Sequence, residues 1–291
     1  MTPARLARAE ISLRGLAVGD AFGACAAADP VVATTDPLPP GPWLWTDDTE
    51  MASSIVDILA RFGRIDQDAL ATSFVTHYDI YRRYGPGTNR ILRLIRAGRG
   101  TWRDLAPQAR NGQGSWGNGA AMRVAPLGAF FADDLDRVIA EAAASAEVTH
   151  THPEGIAGAI AVAVAAAGAA TTASSGEEWL THVIDSTPDG TVRRGIRHAV
   201  HLLTTADPHL AASELGNGAQ TSAADTVPFC LWAAAQHPTD FAAALRTAAA
   251  TGGDTDTLCA IIGGILATRT PPPQEWTTRC EPLPAWLARP A

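Results

Sequence analysis

Apolar residues recur along this chain in steps of three and four. Met51, Ile55, Ile58, Leu59 and Phe62 share one face of a helix. Phe74, Tyr78 and Tyr81 resume the spacing after a break at Gly63. Helical patterning also covers residues 87–98, 134–148, 154–171, 176–185, 191–204, 222–236, 239–250 and 255–268. Alternation of apolar and polar positions is nearly absent, and Pro30 to Thr35 is the one weak strand candidate. The pattern predicts an all-α protein. The Pro-rich segment 29–42 and the Gly-rich segment 108–119 are too short to act as interdomain linkers, so a single domain over 1–291 is expected. From Pro271 onward, six prolines in 20 residues forbid a long helix. The tail 270–291 should wrap the surface, anchored by Trp276 and Trp286.

Composition narrows the picture. With 46% hydrophobic residues among 291, the chain can fill one large core. A net charge of −8 leaves no overall electrostatic footprint for nucleic acid. Four scattered cysteines (Cys25, Cys230, Cys259, Cys280) form no CxxC pair and read as reduced thiols of a cytoplasmic protein. Arg5, Arg8 and Arg14 precede the apolar run Gly15–Ala28, an outline shared with secretion signals, but Asp20 interrupts that run. Ile156 to Ala170 is apolar throughout yet shorter than the ~20 residues a membrane span needs. It reads as a buried core helix, and no membrane partner is expected.

Candidate chemistry gathers at three loop-to-helix junctions. The first is Trp45-Thr46-Asp47-Asp48-Thr49-Glu50, the second Gly117-Asn118-Gly119 running on to Met122-Arg123, the third Gly252-Gly253-Asp254-Thr255-Asp256-Thr257. Taken singly, Asp47 with Glu50 is a capping box and Asp254 after two glycines is a helix N-cap. The doubling of carboxylates exceeds what one cap requires. If the two acidic helix starts meet, four carboxylates with the Thr46 and Thr257 hydroxyls make an all-oxygen site suited to Mg²⁺ or Mn²⁺ rather than zinc. Gly117-Asn118-Gly119 opens a helical stretch, where exposed N–H groups attract anions, and it is equally an ordinary turn. Gly216-Asn217-Gly218 and Gly85-Pro86-Gly87-Thr88 are similar loops. In Thr149-His150-Thr151-His152-Pro153-Glu154, Thr151 and Glu154 form a capping box, and His-x-His is a weaker metal signal.

In order along the chain, Gly15-Leu16-Ala17-Val18-Gly19-Asp20-Ala21-Phe22-Gly23, the Thr46–Thr49 motif, Gly117–Gly119 with Met122-Arg123, Thr149–Pro153 and Gly252–Thr257 resemble the ADP-ribosylglycohydrolases. That family includes dinitrogenase reductase-activating glycohydrolase and the ADP-ribosyl-acceptor hydrolases. The similarity runs from about residue 11 to residue 268. It implies a compact orthogonal helical bundle with two Mg²⁺ (or Mn²⁺) ions at the base of an ADP-ribose cleft. By position, Thr46, Asp47 and Asp48 match one group of metal ligands, and Asp254, Asp256 and Thr257 the other. Gly117, Asn118 and Gly119 match a loop lining the cleft, and His152 a histidine beside the nucleotide. The implied activity is hydrolysis of an N- or O-glycosidic bond between ADP-ribose and a modified protein or small molecule, with nucleic acid the least expected acceptor.

One departure stands out. Members commonly carry a glutamate shortly after the Gly-Asp-Ala-x-Gly motif, and that position is Ala27 here. With Asp47 and Asp48, Asp29 is therefore a catalytic candidate by substitution. The alternative reading is a catalytically weak ADP-ribose-binding protein.

Overall fold

The structure is a computed structural model that describes residues 3–36, 38–171 and 176–287; the end of the expected tail, 288–291, lies outside them. Its helices run α1 (Pro3–Ala28), α2 (Asp47–Phe62), α3 (Gln67–His77), α4 (Pro86–Arg96), α5 (Trp102–Leu105), α6 (Ala109–Gly112), α7 (Ala125–Phe130), α8 (Leu135–Glu147), α9 (Pro153–Thr171), α10 (Gly176–Ser186), α11 (Thr191–His201), α12 (Pro208–Leu215), α13 (Ala223–Gln236), α14 (Phe241–Ala249), α15 (Thr255–Leu266) and α16 (Gln274–Arg279). No strand forms among the described residues, only two isolated bridges. The fold is all-α, as the periodicity requires.

The centre of the bundle is built on small residues. α1 and α15 run antiparallel at close range because Gly15, Gly19 and Gly23 form a stripe at four-residue spacing. A Cβ on Gly19 would lie 2.1 Å from the Cys259 carbonyl oxygen, and one on Gly23 2.2 Å from that of Thr255. α7 approaches α9 in the same way at Gly128, where a Cβ would meet the Ala163 carbonyl at 2.0 Å. α9 is apolar on all sides and packs against α7, α8, α10, α13 and α15. α1 and α9 are long and apolar enough to cross a membrane, but 72% of the apolar window of each is buried inside the bundle. They are core helices.

The expected helices form close to their sequence bounds, except that α3 ends at His77, so Tyr78 lies at its cap and Tyr81 in a separate 3₁₀ turn. Pro30–Thr35 is not a strand: Asp29 accepts from the Val31 N–H at 3.1 Å and starts a 3₁₀ turn over Pro30–Ala33. α1, α7 and α12 show no clear period, since α1 is buried on all sides over Gly15–Ala24 and the other two span six and eight residues. In the tail, Trp276 is buried, 4.3 Å from the Phe22 ring and 5.8 Å from the Trp43 ring. Trp286 stacks on His77 at 3.7 Å.

Candidate active site

The glycine stripe has a direct consequence for charge. It sets Asp20, fully buried on α1, among the first residues of both α2 and α15. The Asp20 carboxylate accepts from the backbone N–H of Thr46 (2.9 Å) and Thr49 (3.1 Å) and from the Thr49 hydroxyl (2.6 Å), with the Thr46 hydroxyl 2.9 Å away. It thus satisfies orphan N–H groups at the α2 N-terminus from another helix, where the dipole favours an anion. The capping box expected at Asp47 and Glu50 does not form. Thr46 is the N-cap, and Glu50 accepts instead from the Tyr84 hydroxyl (2.6 Å) and the Asp79 N–H (3.1 Å). Asp47 and Asp48 are left without capping duty.

The second acidic junction behaves likewise. Asp254 occupies the N-cap position of α15 but makes no side-chain cap bond. Its Oδ2 accepts from Asn118 Nδ2 at 2.7 Å, and its N–H donates to the Asn217 carbonyl at 3.1 Å. The loop Gly216-Asn217-Gly218 is therefore a brace for Asp254 rather than a second ligand loop. At Gly218, with φ +80°, a Cβ would lie 2.6 Å from that of Asp254. Gly85 and Gly87 simply precede and open α4 and touch nothing across the fold.

Five carboxylates now share one buried neighbourhood. Burial, then the nearby charge of Asp256, push Asp20 up to about 7 although the Thr49 and Thr46 bonds oppose the rise. Asp254 is raised to about 7 by burial and Asp256. Asp47 and Asp48 are held well above the usual carboxylate range by burial and by the charges of Asp20, Asp254 and Asp256. One oxygen, Asp48 Oδ1, is buried with no partner. An all-oxygen cluster with raised proton affinity and an orphaned carboxylate oxygen fits divalent Mg²⁺ or Mn²⁺ by charge and hardness. Among the described residues, no three acidic, histidine or cysteine groups close around one point as a finished cation site.

The glycine loop joins this cluster through Asn118, whose amide also reaches the Thr226 hydroxyl at 3.1 Å. Gly117 forms an isolated antiparallel bridge with Ser222, which anchors the loop on the α13 N-terminus. The histidine under the loop is His150, which the spacing of residues does not single out. Cβ atoms added at Gly117 and Gly119 would lie 3.2 and 3.1 Å from His150 Nε2. Arg123, wholly buried, donates to the Thr149 hydroxyl (3.0 Å) and the Ser145 carbonyl (2.9 Å). Thr149 Oγ1 in turn lies 2.7 Å from His150 Nδ1. With its oxygen taking the Arg123 proton, the hydroxyl has its own hydrogen for Nδ1, leaving Nε2–H directed at the loop. Burial and the charges of Arg123 and Arg110 press His150 down to about 3, so it is neutral at physiological pH. His152 lies one step outside, its Nδ1 accepting from the Glu154 N–H at 3.1 Å and its ring 5.3 Å from Trp116. The Thr151–Glu154 capping box is absent, because the Glu154 carboxylate accepts from Thr191 and Val192 N–H at the start of α11.

Asp29 stands apart. It is exposed past the end of α1, with its carboxylate engaged by Val31. Ala27, two helical turns beyond Asp20 on the same face, is also exposed.

The tail braces the first junction. Trp43 N–H donates to the Arg279 carbonyl (2.7 Å) and Glu281 N–H to the Trp43 carbonyl (3.0 Å). Glu281 Oε1 accepts from the Trp45 N–H at 2.9 Å and pairs with Arg82, which stacks on the Trp45 ring at 3.4 Å and donates to the Trp45 carbonyl. Both backbone polar groups of Trp45, the residue before Thr46, are thereby fixed.

Comparison with known proteins bears on the family and the fold. The family model described as ADP-ribosylglycohydrolase matches residues 1–289. ADP-ribosylhydrolase ARH3 of Homo sapiens is 30% identical, over 95% of this chain and 90% of that protein. ADP-ribosylarginine hydrolase Tri1 of Pseudomonas putida (strain GB-1) is 31% identical, over 54% of this chain and 45% of its own. A solved structure described as an ADP-ribosylglycohydrolase-related protein complex superposes with a TM-score of 0.68 at 26% identity, covering 96% of this chain and 94% of that one. An all-α bundle with these relatives is an enzyme of the glycosidase-type hydrolase class. The chain belongs to the ADP-ribosylglycohydrolase family.

Proposed function

We propose that this chain removes ADP-ribose from a modified protein or small molecule with the help of two bound divalent cations. The observation that carries the reading is the meeting of two acidic helix starts around Asp20, with Asn118 linking the glycine loop to Asp254. Thr46, Asp47 and Asp48 on one side and Asp254, Asp256 and Thr257 on the other would hold two Mg²⁺ or Mn²⁺ ions, which supply Lewis acidity toward a sugar hydroxyl and a water. Gly117 and Gly119, lacking side chains, let a diphosphate approach the backbone between them. Neutral His150 stiffens that loop from below, and His152 flanks its mouth. Asp47 and Asp48, beside the water these cations would hold, are the candidates to take its proton.

The test is release of free ADP-ribose from ADP-ribosylated acceptors with Mg²⁺ and with chelator, alongside thermal melting. Mg²⁺ should raise the melting temperature of the native protein, since an ion bound only by the folded state stabilises it. Asp256→Ala should remove both that rise and the activity. An unchanged metal response in the variant would return these acids to a structural role.

A slow enzyme is the form of this reading that Ala27 favours. No carboxylate occupies the position, and the Asp29 carboxylate caps its own turn. A positioned acid or base is worth ~10²–10⁴-fold in rate. Ala27→Glu should therefore raise turnover with little change in ADP-ribose affinity. If Asp29→Ala instead abolishes turnover, Asp29 has taken over the role.

A further inference from the structure

The charge on this protein is strongly segregated. Residues 80–110 hold eight of the 22 arginines and one of the 30 acidic residues, so that segment carries +7 and the other 260 residues −15. The segment folds as a lobe made of the 3₁₀ turn Ile80–Arg82 with α4, α5 and the turn of α6. Its own apolar cluster of Ile91, Leu105 and Ala106 holds it together apart from the main core. Both roots of the lobe lie at the candidate site. At one end Tyr84 and Asp79 bond Glu50, one helical turn beyond Asp47. At the other, Arg110 lies over the Trp116 ring at 4.4 Å, directly before Gly117.

Within the lobe the charges divide into two sets. Arg82, Arg96 and Arg103 are engaged by Glu281, by the carbonyls of Val75 and Tyr78, and by Asp68. Among the described residues, Arg83, Arg90, Arg93 and Arg99 are exposed, and their side chains make no ion pair, hydrogen bond or ring contact. In the turn that leads into Arg83, Tyr81 is 88% exposed and Ile80 55%. Unpaired guanidinium groups and a bare aromatic ring in one lobe suit unstacked bases and their phosphates, because a base stacks on the ring while the ring's negative face repels a carboxylate.

We propose that this lobe binds single-stranded nucleic acid, and that it seats such a strand as the acceptor or neighbour of the ADP-ribosyl group. The surrounding −15 repels a polyanion from every other approach and orients it onto the lobe. This reverses the expectation drawn from overall charge: the −8 of the whole chain is a sum that hides a basic face at the site. The second half of the proposal rests on the hydrolase reading above; the binding half does not.

The experiment is fluorescence anisotropy with a labelled single strand of about 12 nucleotides, within the usual site size of such platforms, titrated with the full chain across a range of salt. Four phosphate contacts predict a slope of about −3 in log affinity against log salt. Replacing Arg83, Arg90, Arg93 and Arg99 together by glutamine should bring the slope near zero, and Tyr81→Ala alone should weaken binding about tenfold. Calorimetry with free ADP-ribose serves as the separate readout of the site and should be the same for wild type and both variants. No binding, binding that survives the four replacements, or preferential binding of an acidic peptide of equal charge each overturns the proposal. Oligonucleotide binding by a protein that fails to bind ADP-ribose would instead sink the hydrolase reading and leave the surface intact.

Discussion

At the scale of single residues, the buried carboxylates decide how this protein responds to pH. Asp20 and Asp254 titrate near 7 in the folded chain and near 3.8 when unfolded. Between those values the folded state binds more protons than the unfolded one. Their contribution to stability is complete below about pH 4 and is lost as pH rises to about 7. In the presence of chelator, the melting temperature should fall from about pH 5 to about pH 7.5. Saturating Mg²⁺ should reverse that trend, because a cation takes the place of the protons. Asp20→Asn removes one titrating group and should flatten the slope under chelator, while lowering the melting temperature overall through loss of bonds to Thr46 and Thr49. A flat profile for the native chain under chelator would show that these acids are not coupled.

The sequence made some of this legible. Asp47, Asp48, Asp254 and Asp256 stood out because their number exceeded what capping needs. Asp20 was visible as a charge inside an apolar run and as part of the Gly-Asp-Ala-x-Gly motif, but not as a member of the acidic cluster. A lone acid on a helix with glycines at four-residue spacing is one that other chain segments must satisfy. His150 could not be told from His152 by spacing. What separates them is a hydrogen-bond chain from Arg123 through Thr149, and that exists only in three dimensions.

At the scale of elements, the fit of α1 against α15 determines whether the two acidic junctions share a neighbourhood. Gly19 is the strictest point, since the atom that a side chain would strike belongs to backbone. Gly19→Ala forces the helices apart, and overpacking in such places costs about 1–3 kcal/mol. The expected outcome is a lower melting temperature together with a weaker metal response, because Asp20 and Asp256 separate with the helices. An equal loss of stability from Gly128→Ala, at the α7–α9 contact, should leave the metal response largely intact. Helices with a polar face were readable from period alone. α1 was not, because its central stretch Gly15–Ala24 is buried on every side and interrupts the stripe.

At the scale of the whole molecule, the site is assembled from both ends of the chain. Glu281 holds the Trp45 peptide, and through it the position of Thr46, although the two lie at opposite ends of the sequence. Glu281→Ala leaves the Trp45 N–H unsatisfied and Arg82 without its carboxylate. Mg²⁺ affinity, read from the shift in melting temperature with ion concentration, should weaken by more than the drop in metal-free stability explains. Arg82→Ala should have much the same effect, and the double variant should be far less than additive if the pair acts as one unit.

That arrangement also sets an order of events during synthesis. Asp20 and the Asp47-Asp48 pair leave the ribosome early, while Asp254, Asp256 and finally Glu281 follow more than 200 residues later. At typical elongation rates the wait is on the order of ten to fifty seconds. Throughout it, α1 presents a glycine-lined face that only α15 covers, so the nascent chain is a natural client for chaperones until α15 arrives. A chain cut short before Asp254 lacks two of the five carboxylates and the helix that shelters the rest.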